Sequence, residues 1–178
     1  MSEASGTPNI ASLADLYAVA YQIEADAVER YELLSVQMEV HNNPDLAAMF
    51  RDLARAEGIH RDAVRRLASE AGVDAVAHAG RVAKWCKGES PEEADAGAAH
   101  YLMTPWHALQ LALEGEQRAL AFFTSVVATA KDARIRRIAE EFVEEEAEHV
   151  NLVHRQLRRH PAPPESWLDD LNPPVPQD

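Results

Sequence analysis

Four long stretches of this chain carry apolar residues at spacings of three and four, the pattern of α-helices that each bury one face. Each stretch begins at a residue that can cap a helix N-terminus, and the four caps are Ser12, Asn43, Thr104 and Asp132. Proline follows two of these caps, at the first helical position, where it is well tolerated. The pattern predicts an all-α protein with helices over about residues 12–41, 43–71, 104–130 and 132–160.

The connection between the second and third predicted helices determines the topology. It spans roughly residues 73–103, which is long enough to cross the length of a bundle, whereas the other two links are short and suit antiparallel neighbours. We therefore predict a four-helix bundle over residues 12–160, built from two helical hairpins joined by a long crossover. Part of the crossover, AVAHAGRVAKW, is compatible with a short helix. Residues 1–11 form an N-terminal tail in this prediction, and residues 161–178 a proline-rich C-terminal tail.

Each of the four apolar stripes is interrupted by glutamate. Two stripes contain a lone glutamate, and the other two contain the pattern E-x-x-H. The six interrupting residues are Glu24, Glu57, His60, Glu116, Glu146 and His149. The pattern E-x-x-H is a weak signal in a glutamate-rich chain. It becomes informative in the middle of an apolar face, because an ionised carboxylate buried without a partner is costly.

The segment EEEAEH, residues 144–149, offers four carboxylates, and the helical angle selects among them. At ~100° per residue, Glu146 and His149 straddle the apolar stripe of their helix, while two of the other glutamates point away from it. Glu145 stays an alternative ligand because it lies four residues before His149. The corresponding position in the second helix is Ala56, so the parallel between the two helices favours Glu146.

An internal repeat supports this selection. Shifting the first helix by 92 positions superimposes Glu24 on Glu116, and the same shift places Tyr31 on Phe123. Shifting the second helix by 89 positions superimposes one E-x-x-H on the other. The chain is therefore two copies of a helical hairpin, each with one lone glutamate and one E-x-x-H.

Six polar side chains are thus expected to point into one core at similar depth. Four carboxylates close together in an apolar interior repel one another, and two divalent cations neutralise them while two neutral imidazoles complete the ligand set. The donors are rich in oxygen, which suits iron or manganese better than a closed structural zinc site. Lone glutamates on two helices and E-x-x-H on two others form the ligand set of carboxylate-bridged di-iron and di-manganese bundles. We predict two iron ions, with manganese as the alternative metal.

The composition excludes several classes of partner. A formal net charge of -13 argues against nucleic acid, whose phosphates need clustered Lys and Arg, and against an anionic membrane surface. No apolar run approaches the ~20 residues of a membrane helix, and the pattern of a signal peptide is missing, so we expect a cytoplasmic protein. The single cysteine, Cys86, cannot form an intrachain disulfide or a cysteine-based metal site.

Four motifs resemble those of the ferritin-like superfamily, and within it the rubrerythrin and bacterioferritin branch. They are E-A-D-A-V-E-R-Y (24–31), E-G-I-H (57–60), E-Q-R-A-L-A-F-F (116–123) and E-A-E-H (146–149). The resemblance covers about residues 12–160 and implies a ferritin-like four-helix bundle. It also implies that Glu57 and Glu146 bridge two metals. The terminal ligands implied by the resemblance are Glu24 with His60, and Glu116 with His149.

The chain departs from rubrerythrins in two respects. Rubrerythrins usually have a second glutamate three residues after the ligand of the third helix, and this chain has Ala119 there. Many of them also carry a four-cysteine rubredoxin domain that delivers electrons, which one cysteine cannot build. The resemblance therefore implies a reaction that depends on an external electron donor.

By this resemblance we expect a di-iron oxidoreductase that reacts with hydrogen peroxide or oxygen, as a peroxidase or a ferroxidase. We also expect a homodimer or a larger homo-oligomer. Three alternatives stay open at this point. They are an iron or manganese binding or storage protein, a di-iron oxygenase for an organic substrate, and a bundle whose polar residues are purely structural.

Three further residues bear on the candidate site, and the first, Tyr31, stands seven residues after Glu24. Tyr31 is either part of the apolar core or a hydroxyl near the metals that donates a hydrogen bond or passes an electron. Gly58 and Gly115 each neighbour a candidate ligand and weaken their helices by up to ~1 kcal/mol. We interpret these glycines as relieving crowding at the site or opening access to it.

Overall fold

The structure is a computed structural model and describes residues 10–82 and 104–163. Within these residues the chain forms five α-helices and no strand. The helices are α1 (Leu13–Val40), α2 (Pro44–Glu70), α3 (Ala75–Val82), α4 (Pro105–Thr129) and α5 (Ala133–Leu157). The four long helices confirm the predicted all-α bundle, and α3 shows that part of the predicted crossover is helical.

All four predicted N-caps are confirmed. The side chains of Ser12 and Asn43 accept hydrogen bonds from backbone N–H groups in the first turns of α1 and α2. Thr104 and Asp132 do the same for α4 and α5. Each bond satisfies one of the N–H groups that the start of a helix leaves without an intrahelical partner, so these residues fix where the long helices begin.

Helices α1 and α2 each end at a residue with left-handed backbone. Asn42 follows α1 with a φ of 55°, and Gly72 follows α2 with a φ of 74°. Beyond Gly72, the N–H of Val73 donates to the carbonyl of Ala68 at 2.8 Å, which satisfies a C-terminal carbonyl of the helix. Asparagine and glycine are the residues that adopt this conformation at least cost, so both chain reversals are specified locally.

The four long helices pack as two hairpins. Helices α1 and α2 contact each other along their lengths, and α4 and α5 form the second pair. The two hairpins meet where α1 contacts α4 and α5, and the short α3 packs against α1 and α2. The two copies of the sequence repeat are thereby brought face to face.

The core consists of two apolar clusters at different levels of the bundle. Large members of the first cluster are Leu16, Ile23, Phe122, Phe123 and Phe142. Large members of the second cluster are Tyr31, Leu34, Phe50, Leu109 and Val153. On α1 the first cluster ends at Ile23 and the second begins at Ala27, with Glu24 between them. The same change of cluster occurs around the candidate ligands of the other three long helices, so these ligands occupy one polar layer.

Some predictions fall on residues that the structure does not describe. These are the crossover beyond residue 82, including Cys86, and most of the two predicted tails. Helix α5 ends at Leu157, slightly before the predicted end near residue 160, and the chain continues there as a turn. No helix in the described ranges is both long enough and apolar enough to span a membrane.

Candidate metal centre

All six predicted ligands lie in the polar layer between the two apolar clusters. The four glutamates are deeply buried, with exposed fractions of 2% to 4%. The imidazoles are less buried, since the side chain of His149 is 12% exposed and that of His60 is 27% exposed. Each long helix contributes either a lone glutamate or an E-x-x-H pair, so the layer is assembled from all four.

His149 faces carboxylates from three helices. Its Nδ1 atom lies 3.1 Å from Glu57 Oε1, 3.4 Å from Glu116 Oε2 and 4.0 Å from Glu146 Oε2. The ring of His60 is nearly parallel to that of His149, with centroids 5.4 Å apart and an interplanar angle of 8°. His60 Nδ1 lies 3.6 Å from Glu57 Oε2. The two oxygens of Glu57 therefore face the two imidazoles, one each.

Three buried atoms of this layer make no hydrogen bond to any residue that the structure describes. They are Glu57 Oε1, His60 Nδ1 and His149 Nδ1. Buried polar atoms without hydrogen bonds are costly, and most native proteins satisfy them. When such atoms are two imidazole nitrogens and a carboxylate oxygen that face one another, a shared cation fits as their partner.

The acid–base state of the layer shows how unfavourable its negative charges are on their own. Burial, together with the nearby carboxylates of Glu116 and Glu24, raises the pKa of Glu146 to about 11. Burial and the carboxylate of Glu57 raise the pKa of Glu24 well above its usual value. Glu146 therefore holds a proton at neutral pH, and Glu24 gives up its proton less readily than a free glutamate does.

In Glu57 and the two imidazoles, the neighbouring groups favour the charged form instead. Burial opposes ionisation of Glu57, yet His60 and His149 outweigh it and hold the pKa of Glu57 below its usual value. Burial likewise opposes protonation of His149, but Glu116 and Glu57 outweigh it and raise the pKa of His149 to about 9. The Glu57 carboxylate also raises the pKa of His60. Without a cation, the layer thus balances its negative charge with protons bound to the candidate ligands.

The donor atoms fall into groups small enough to hold one ion each. Within each group they lie within 4.8 Å of one another. The groups are Glu24–His60–Glu145, Glu57–His60–His149 and Glu116–Glu146–His149. The middle group shares one histidine with each of the others, which makes the three groups one continuous layer. Its oxygen-rich donors and excess negative charge fit two divalent ions of the iron or manganese type.

Glu145 belongs to one of these groups in addition to the six predicted ligands. The sequence presented Glu145 and Glu146 as alternatives, but the structure directs them to different partners. Glu145 lies with Glu24 and His60, whereas Glu146 lies with Glu116. The other two glutamates of EEEAEH are exposed. The helical angle alone did not reveal this division, because Glu145 sits at the border between the buried and exposed faces.

Tyr31 is both a core residue and a neighbour of the layer. Its side chain is fully buried, and its ring stacks on Phe50 with centroids 5.9 Å apart. Its hydroxyl donates a hydrogen bond to Glu116 Oε1. The repeat-equivalent residue, Phe123, lacks a hydroxyl and cannot make this bond, so Tyr31 distinguishes the two halves of the layer.

One charged residue near the layer was missed by sequence reasoning. The side chain of Arg30 is only 12% exposed, and its Nη2 atom lies 3.7 Å from Glu116 Oε1. Its Cζ atom lies 5.0 Å from the centroid of the Tyr31 ring. Gly115 provides the space, because a Cβ there would lie 2.7 Å from Nη2 of Arg30 and still closer to other guanidinium atoms. At Gly58, by contrast, a Cβ would meet no described atom within 4 Å, so that glycine relieves no crowding.

The comparison with protein families agrees with this arrangement. The model of the rubrerythrin family matches residues 15–157. The chain belongs to the rubrerythrin family. The matched range contains all four long helices from Asp15 onward and every residue of the polar layer.

One solved structure is similar to the whole bundle. It is that of an uncharacterized conserved protein from Magnetospirillum magnetotacticum MS-1, with 33% sequence identity and a TM-score of 0.71. The alignment covers 86% of this chain and 98% of that one. No curated protein sequence matches the chain significantly. The predicted family and the ferritin-like all-α fold are therefore confirmed.

Proposed function

We propose that this rubrerythrin-family protein is a non-haem di-iron oxidoreductase that binds two Fe(II) ions per chain and reacts with hydrogen peroxide or oxygen. The observation that carries the proposal is the polar layer. Four buried carboxylates and two partly buried imidazoles from four helices lie at one level between two apolar clusters. Manganese is the alternative metal, because the same donors suit it.

The ligands in this proposal are Glu24, Glu57, His60, Glu116, Glu146 and His149. Their four carboxylates carry a charge of -4, which two divalent ions neutralise, and the neutral imidazoles add donors without adding charge. The bridging role that the family resemblance implies for Glu57 is supported by its geometry. Its two oxygens face His149 at 3.1 Å and His60 at 3.6 Å, and these two imidazoles belong to different ligand sets.

Bound iron would supply one electron per ion and Lewis acidity at the site. The protein holds the ligand atoms in place, and its two apolar clusters keep bulk water from both sides of the layer. His60 is more exposed than His149, which places the more open side of the layer beside α2. The electrons would be returned by a donor outside this bundle, because the single cysteine of these 178 residues cannot form a rubredoxin centre.

A stopped-flow comparison tests the proposal. The metal-free protein is loaded anaerobically with two Fe(II) per chain and mixed separately with oxygen and with hydrogen peroxide, and the absorbance of ferric iron is followed. We expect oxidation faster than that of free Fe(II). A preference for peroxide supports peroxide reduction. A preference for oxygen that continues beyond two irons per chain, in a large hollow assembly, supports ferroxidase activity and storage.

Two variants extend this comparison, one at a candidate ligand and one at an exposed control position. Glu57→Ala removes a carboxylate whose two oxygens face both imidazoles, so it should lose the fast phase with either oxidant. Glu144→Ala changes an exposed glutamate of α5 and should keep the fast phase. Failure of the wild-type protein to bind iron, or oxidation no faster than that of free Fe(II), would contradict a di-iron function.

Tyr31→Phe should slow the oxidation of bound iron by roughly 10- to 100-fold, the usual range for a residue that orients a ligand. The substitution removes only the hydroxyl that donates to Glu116 Oε1, and phenylalanine occupies the equivalent position in the other half of the chain. Two ions per chain should still bind. Tyr17→Phe is the matched control, because Tyr17 is buried in the first apolar cluster. Equal oxidation rates in the two variants would mean that the Tyr31 hydroxyl has no part in the reaction and that Tyr31 serves only to pack the core.

A further inference from the structure

The sequence repeat predicts two equivalent metal positions, but the structure makes them different. The repeat relates the Glu24–His60 set of ligands to the Glu116–His149 set. In the structure, a carboxylate adjoins the first set and a guanidinium adjoins the second. Both charges come from residues that have no counterpart in the other half of the chain.

The additional carboxylate belongs to Glu145. Its oxygen lies within 4.8 Å of donor atoms of Glu24 and His60. The position in the first half that corresponds to Glu145 is Ala56, so the repeat provides no such carboxylate beside the second set. Because an added negative charge attracts a divalent cation, Glu145 strengthens the first set.

The guanidinium belongs to Arg30. Its Nη2 atom lies 3.7 Å from Glu116 Oε1, the same oxygen that accepts the hydrogen bond from Tyr31. The residue in the second half that corresponds to Arg30 is Phe122, an apolar side chain of the first cluster. A fixed positive charge beside Glu116 competes with a metal cation for that carboxylate, so Arg30 weakens the second set.

Gly115, like Arg30, differs from the residue at the equivalent position in the other half of the chain. Gly115 lies against the guanidinium of Arg30, where a Cβ would leave no room for the observed side chain. The residue that corresponds to Gly115 in the first half is Ile23, which is buried in the apolar core. The chain therefore has an arginine and the glycine that admits it at two positions where the repeat alone would give apolar residues.

We propose that Arg30 and Glu145 make the two metal positions unequal. The position formed with Glu24, His60 and Glu145 binds its ion first and tightly. The position formed with Glu116 and His149 binds its ion second and more weakly. This inference rests on the proposed function, since it requires that the layer holds two divalent ions. When metal is limiting, most chains then hold one ion each, instead of some chains holding two ions and the others none.

The test is an anaerobic titration of the metal-free full-length protein with Mn(II) at pH 7, with free Mn(II) measured by its electron paramagnetic resonance signal. The wild-type protein should show two classes of site. Glu145→Gln should weaken the tight class by roughly 10- to 100-fold, and Arg30→Gln should strengthen the weak class by a similar factor. Melting temperatures recorded in parallel show that each variant is folded.

Two further variants separate charge from structure. Gly115→Ala should strengthen the weak class as Arg30→Gln does, because the new Cβ displaces the guanidinium while the arginine itself is kept. Glu144→Gln removes an exposed carboxylate next to Glu145 and should change neither class. The substitutions at Glu145, Arg30 and Gly115 thus test the inequality of the two metal positions from three different helices.

The outcomes distinguish this inference from the function on which it depends. Two ions bound with equal affinity by the wild-type protein would overturn the inference and leave the di-metal function intact. An equal effect of Glu145→Gln on both classes would do the same. Failure to bind any Mn(II) or Fe(II) would overturn the proposed function, and the inference with it.

Discussion

Glu146→Leu should raise the melting temperature of the metal-free protein and abolish its stabilisation by divalent metal. Glu146 is only 4% exposed, its carboxyl group lies among three other carboxyl groups, and its pKa is raised to about 11. Replacing a buried ion pair or triad with apolar residues of similar volume is often neutral or stabilising, by up to ~4 kcal/mol, whereas removing one partner destabilises when it leaves a buried charge without compensation. In a chain of this size each 1 kcal/mol corresponds to roughly 2–4 °C in melting temperature.

The substitution leaves the neighbouring carboxylate with its other partners. Glu116 keeps the hydrogen bond from Tyr31 and the guanidinium of Arg30. The new leucine lies on the same stripe of α5 as Phe142, four residues before it, and Val153, seven residues after it, which belong to the two apolar clusters. The gain in stability therefore comes without a new unpartnered buried charge, which is the usual reason that such substitutions fail.

Thermal unfolding with and without saturating Mn(II) measures both effects. The wild-type protein should gain stability from the metal, because a ligand that binds only the folded state shifts the unfolding equilibrium. Glu146→Leu should start from a higher melting temperature and gain little. Glu144→Leu is the control, an exposed position on the same helix that should behave like the wild type. A Glu146→Leu protein that still gains stability from Mn(II), or that melts below the metal-free wild type, would contradict the assignment of Glu146.

The boundaries of the helices could be predicted because they depend on local chemistry. The side chain of Asn43 can reach only the N–H groups of the next turn, and the left-handed backbone of Gly72 needs no contact from elsewhere in the chain. The inward direction of Glu24 or Glu57 is almost as local, because it follows from the helical repeat and from apolar neighbours three and four residues away. None of these features depends on a tertiary contact.

The difference between the two metal positions could not be predicted in this way. The guanidinium of Arg30 can lie beside Glu116 because Gly115 has no side chain. Gly115 comes 85 positions later, on another helix, and no helical periodicity relates the two residues. Glu145 lies at the border of the buried face of α5, so a small rotation of that helix decides whether it reaches the layer. A signal was nevertheless present, because Arg30 and Gly115 both replace apolar residues that occupy the equivalent positions of the other half.

The affinity of the layer for two divalent ions should rise steeply with pH between about 6 and 8. In the metal-free protein Glu146 and His149 hold protons with pKa values of about 11 and 9, and a metal ion binds only the unprotonated forms. Both groups are therefore protonated below pH 9 and each releases a proton when the ions bind. Two released protons change the overall binding constant by ~100-fold per pH unit. The pKa of Glu24 is also raised, which adds to the release.

Isothermal titration calorimetry in two buffers of different ionisation enthalpy counts these protons directly at pH 7. At least two protons per pair of ions are expected from the wild-type protein. His149→Gln should release one fewer, because glutamine has no proton to lose, whereas Glu144→Gln should match the wild type. An affinity that stays flat between pH 6 and 8 would mean that the layer is already deprotonated without metal. Its four carboxylates would then need a fixed cation such as Arg30 to offset their charge, rather than the protons that burial and mutual repulsion place on them.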